Sequence, residues 1–219
     1  MLKNNYKKEL ENSLDLIYEE VNKSIAIMDY VKAKESVNKG LKSLVGLDIG
    51  TIDLFSFKSI CEIIDRESQY NSMKYLAFGC LMSLMGIVCE KNLKDASYIS
   101  YYEKALDGFY KAFCEDDEID IKYVEDAVNI CKELSKYDLD IEIDKKVLKL
   151  YEVLNKLDKA EDTLFYMLQK TNNDGSIILE GMKFYNRLKK KEKDVLCEGN
   201  LPLEEVEDGI AELERRLGL

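Results

Sequence analysis

Histidine and tryptophan are absent from the 219 residues, proline occurs once, and no cysteine pair has the CxxC spacing. The lack of histidine removes the commonest metal ligand and the commonest general base together, so imidazole-dependent serine or cysteine triads are excluded. No pair of Glu, Lys, Tyr or Cys stands out at a spacing that would place a reacting couple on one face. The reading is therefore not an enzyme, with no catalytic residue, no cofactor and no metal assigned. Basic charge is in short supply as well: 32 Lys and Arg against 43 Asp and Glu leave a net charge of −11. A phosphate-backbone partner needs a basic stripe that releases counterions, so no nucleic acid is expected, and a basic or neutral protein surface is the better match.

Long hydrophobic runs are missing too. The longest uncharged stretch, Tyr75–Cys89, falls short of the roughly 20 residues a membrane span requires and is flanked by Lys74 and Glu90. It reads as a buried central helix, with no membrane partner. The polar N-terminus MLKNNYKKELENS has no apolar signal run, so a cytoplasmic chain is expected. The six cysteines, at 61, 80, 89, 114, 131 and 197, read as small core hydrophobes in a reducing compartment.

What is present is helical period almost throughout. Apolar residues recur every three or four positions at Tyr6, Leu10, Leu14, Ile17, Val21 and Ile25, then restart after Asp29 and stop at Gly46. A short third helix follows, with Thr51 or Asp53 as its cap, then the central helix from about Ser68 to Lys91. A fifth runs from about Ala96 to Cys114 and a sixth from about Asp120 to Tyr137. The acidic connector 138–144 leads to a seventh through Tyr151. An eighth starts near Asp158, and TNNDG at 171–175 is a turn. A ninth spans 176–190. After a loop containing Gly199, Pro202 opens the last helix. The prediction is an all-α fold of about ten helices stacked as antiparallel hairpins in one domain, 1–219, with 4–190 as the stack and 200–219 as a capping helix.

Helix pairs joined by short turns invite a test for a 34-residue repeat. Tyr151 and Ala160 have the spacing of the tyrosine and alanine of a tetratricopeptide repeat, with Leu164 at the later apolar position. Tyr75, Phe78 and Gly79 match its first half, and Ala105, Phe109 and Ala112 its second; Ala33 and Val37 make a weaker match. The chain thus resembles a degenerate tetratricopeptide-like α-solenoid, which implies a right-handed superhelix with a partner-binding surface. It also resembles a family of uncharacterised bacterial proteins, through Tyr102-Glu103-Lys104-Ala105-Leu106 and the closing phrase Gly199–Val206. That resemblance implies fold and not activity.

Several constellations have plainer readings. VGLDIGTI at 45–52 resembles the phosphate-binding turn of actin-like ATPases, but its flanks are helical, and an interhelical loop with Gly46 as the C-cap is preferred. An EF-hand count from Asp138 meets Ile143 where glycine is required and Lys149 where a bidentate Glu is required; a count from Asp116 fails at Ile121 and Ala127. Helix capping is preferred for both connectors. The run RLKKKEK at 187–193 suits a helix C-terminus. Helix five carries more aromatic surface than one face can bury. Tyr102, Phe109 and Phe113 share the core stripe, Tyr98 and Tyr101 lie at its margin with exposed hydroxyls, and core or boundary packing is preferred; Tyr98, Tyr101, Tyr102 and Tyr110 are the candidate partner surface, since aromatics with polar tips favour interfaces.

The function expected is a non-enzymatic intracellular scaffold or adaptor binding a protein or peptide. A sensor with a pocket between helices 75–89 and 96–114 is the alternative, and homodimerisation through the aromatic helix is a further expectation.

Overall fold

The computed structural model describes residues 2–66, 71–93, 95–115 and 119–218, and every regular element among them is helical. In chain order these are α1 (Leu2–Ala26), α2 (Tyr30–Gly40), α3 (Ile49–Leu54), α4 (Phe57–Ile64), α5 (Asn71–Lys91) and α6 (Tyr98–Glu115). They continue as α7 (Ile121–Leu134), α8 (Ile141–Val153), α9 (Leu157–Lys170), α10 (Gly175–Leu188), α11 (Lys193–Glu198) and α12 (Leu203–Leu217). A π-helical turn, Leu41–Val45, prolongs α2. The expected start of the central helix at Ser68 and the count from Asp116 fall outside the described residues. The backbone gathers into two compact units, Met1–Tyr137 and Asp138–Leu219. The connector DLDIEID, which the sequence offers only as a link between two helices, begins at that boundary.

The first unit is built round α5. Every residue from Tyr75 to Gly86 is buried, because α1, α2, the π turn, α4, α6 and α7 all pack on this one helix. Each large aliphatic side chain so enclosed contributes about 1.5–3 kcal/mol. The same helix is long and apolar enough to cross a membrane, yet 83% of its apolar window is covered by protein. Its partnership with α6 is the closest in the unit. Phe109 lies against Gly79 and Tyr102 against Gly86, so numbers rise along one helix as they fall along the other and the pair is antiparallel.

Local chemistry sets the ends. The α1–α2 turn is closed by the Asp29 amide donating to the Ser24 carbonyl at 2.9 Å, with Met28 in the left-handed region at φ 60° and the Asp29 carboxylate accepting from the Lys32 amide. Gly46 takes φ 82° at the end of the π turn, where a Cβ would be strained. The short third helix of the sequence reading is in fact two. Phe55 is extended and Ser56 caps α4 through the Ser59 amide, so the apolar period carries across a break that only the Ser56 cap marks. Asp48, rather than Thr51 or Asp53, caps α3, accepting from the Thr51 amide at 2.8 Å.

In the second unit α8 packs on α9, α9 on α10, and α10 and α11 on α12. Pro202 is the cap residue and not the first helical one. The stretch around 193–198, read as loop from the sequence, forms α11. It turns the chain so that the Gly199 carbonyl accepts the first free amides of α9, from Leu157 and Asp158, at 3.1 Å each. Those donors have no side-chain cap of their own, and this carbonyl takes its place.

Candidate functional site

The face of α12 that carries Glu205, Asp208 and Glu212 is set by spacing, since residues three and four apart lie one above another. Val206, Gly209 and Leu213 are buried on the adjoining face, which leaves the three carboxylates along the flank. Across from them α9 presents Glu161 and Phe165, one turn apart. Together with Ala211 and Arg215 these residues line an open cleft of about 450 Å³. Four carboxylates and the Arg215 guanidinium line it with an aromatic ring among them, and Glu212 is paired with Arg215 and with the adjoining Arg216, which leaves Glu161, Glu205 and Asp208 as its remaining carboxylates.

Glycine decides the depth of the cleft's floor. A Cβ on Gly209 would collide with the Tyr185 ring of α10. With none present, Tyr185 passes beneath α12 and its hydroxyl donates to Glu161 Oε1 at 2.5 Å. Burial pushes the Glu161 carboxyl above its ordinary range, and the neighbouring Glu205 adds to this, while the Tyr185 hydrogen bond opposes it. Glu212 goes the other way. The Arg216 hydrogen bond, Nε to Oε1 at 2.8 Å, holds it below the usual range, and Arg215 helps. Arg216 also lies 5.5 Å from the centre of the Phe165 ring, so that ring already accepts one cation on its surface. The site is thus suited to positive charge carried on an apolar stem.

Of the four candidate tyrosines of helix five, Tyr101 and Tyr102 are buried. Tyr102 is 1% exposed and donates to Glu90 Oε2 at 2.9 Å; Tyr101 is also buried and donates to Asp53 Oδ2 at 3.1 Å. Each ring enters the core because a carboxylate from another element receives its hydroxyl at the margin. Tyr98 is half-buried, with its ring 6.3 Å from that of Tyr102 and 5.8 Å from that of Tyr137. Tyr110 is half-buried too. Only these two keep part of the surface assigned to four. Between α5 and α6 the Phe109 ring lies against Gly79 and the Tyr102 ring against Gly86.

The remaining candidates resolve into caps and pairs. Asp120 and Asp140 accept the amides of Lys122 and Glu142, each at 2.9 Å, as N-caps of α7 and α8. Asp48 and Asn38 take the amides of the VGLDIGTI loop. In the basic run, Arg187 makes a two-pronged contact with Glu152, at 2.8 and 2.7 Å. Among the described residues no three His, Cys, Asp or Glu side chains converge as a metal cluster. All six cysteines are free, and Cys114 and Cys197 are exposed rather than core filler. The α9–α12 cleft escaped the sequence reading because its two walls are some forty residues apart. Gly209, inside an otherwise good helical period, is the signal that points to it.

The chain belongs to DUF6483, a family of unknown function, whose profile matches residues 1–218. No curated protein and no solved structure matches it.

Proposed function

We propose that the protein is a non-enzymatic cytoplasmic scaffold or adaptor, its helical hairpins stacked in the manner of tetratricopeptide-like repeats, and that it binds a basic segment of a protein or peptide in the α9–α12 cleft. The observation that carries this reading is the placement of Glu161, Glu205 and Asp208 in one cleft with Phe165, beside a Glu212 already paired with Arg215 and Arg216. A lysine or arginine of the partner lays its alkyl stem on the ring and its charge among the carboxylates. Rim pairs of this kind contribute roughly 0.2–1 kcal/mol each, so affinity falls as salt screens them. The net charge of −11 favours encounter with a basic partner over an acidic one.

The test is affinity capture with the full chain from native cell extract, followed by mass spectrometry of what is retained. A polypeptide that elutes between 0.1 and about 0.5 M salt supports the reading. Retention of a metabolite alone overturns it.

A further inference from the structure

One seam inside the first unit gathers polar groups from three helices. There Tyr18 of α1, Cys80 of α5, and Tyr123 and Asp126 of α7 come together. The Tyr18 hydroxyl donates to Asp126 Oδ2 at 3.4 Å, long for a bond between oxygens. Tyr123 is 2% exposed, and its hydroxyl has no hydrogen-bond partner among the described residues. A further tie between α1 and α7 is Lys122 to Asp15 at 3.3 Å, both groups largely in water.

A hydroxyl buried without a partner penalises the docked arrangement, and water satisfies it as soon as the helix lifts. The same holds for the Asp126 carboxyl, whose burial raises its pKa. Both penalties are relieved when α7 turns away from α1 and α5 about its more extensive contact with α6, with the α5–α6 pair intact. We propose that α7 is a hinged element, which opens from α1 and α5 while the rest of the unit stays folded and so exposes the seam. The unpartnered Tyr123 hydroxyl is the device that sets how readily it opens.

Two thiols on α5 report on this directly. Cys80 and Cys89 are both 0% exposed, but Cys80 lies in the seam. Cys89 lies beside Lys34, Asp95 and Ser97, away from α7. The experiment is pulsed alkylation of the folded full-length chain with iodoacetamide, resolved by peptide mass spectrometry. Cys80 should label at least about tenfold faster than Cys89. Tyr123→Phe should slow Cys80 by roughly tenfold, and Tyr18→Phe, which removes a bond made only in the docked state, should speed it. Cys89 should be unmoved in both. Equal labelling of the two thiols in the unaltered protein overturns the proposal whether or not the variants fold, and so does a Tyr123→Phe chain whose Cys80 labels as fast as before.

Discussion

Gly108 of α6 lies so close to Gly79 of α5 that a Cβ on Gly108 would stand 2.9 Å from the Gly79 amide nitrogen and 2.7 Å from Phe78 Cδ1. Two backbones approach here with no side chain between them. The obstacle on the Gly79 side is main chain, which cannot rotate away. Gly108→Ala should therefore cost about 1–3 kcal/mol, read as a lowered urea midpoint with an unchanged slope. Gly50 serves as the control: only Asp48 Oδ1, at 3.6 Å, lies near its added Cβ. Gly50→Ala should leave stability unchanged or raise it by about 0.4–1 kcal/mol through the unfolded chain.

Lys34 and Asp95 tie α2 to the α5–α6 turn, and Asp95 also accepts from the Ser97 amide at 3.0 Å. The Lys34 hydrogen bond, followed by that of Ser97, holds the Asp95 carboxyl below its ordinary range. A depressed folded pKa gives stability that is present above the unfolded value and is lost as pH falls through the folded one. Asp95→Asn should thus be about 1 kcal/mol less stable at pH 7. Its deficit should shrink steadily below about pH 4 in acid titrations followed by circular dichroism.

Glu161 has the opposite sign. Its pKa is raised by burial, so the folded chain holds the proton more tightly than the unfolded one. Its carboxylate therefore subtracts from stability above the folded value, and that loss is recovered as pH falls towards the ordinary carboxylate range. Glu161→Gln keeps an oxygen for the Tyr185 hydroxyl and removes the titration. Thermal melts between pH 7 and about 4.5 should show a flatter profile for the variant than for the parent.

Gly209→Ala drives a methyl group into the Tyr185 ring. Because ring and hydroxyl must both move, it should cost about 1–3 kcal/mol and disturb the Glu161 partner. Tyr185→Phe keeps the ring and loses only the donor, which leaves Glu161 half-buried without it. A smaller loss for Phe than for the glycine variant, by denaturant titration, is expected.

The helical class and most helix spans were legible because amphipathic period is local. It is written in residues three and four apart, as in α6 and α12. What depends on distant partners was not. Nothing near Tyr101 in the chain announces that Asp53 receives its hydroxyl, or near Tyr102 that the carboxylate of Glu90 turns back to it across the turn. Spacing alone puts the Tyr102 ring on the core stripe and leaves Tyr101 at its margin with the hydroxyl in water. The split between α3 and α4 turned on one serine cap inside a continuing apolar period, and α11 was too short to show a period at all. The cleft needed α9 and α12 brought together, which spacing within either helix does not reveal.

A basic protein segment held in the acidic α9–α12 cleft would depend on the exposed carboxylates of α12. The most direct test is paired affinity capture from one native extract, with the parent chain and with the double variant Glu205→Lys, Asp208→Lys. Both positions are exposed, so the variant should keep the helical spectrum and melting of the parent. The variant should recover at least about tenfold less of the retained polypeptide, the loss expected for reversing two rim charges. Equal recovery by the two chains, with the variant folded, contradicts it.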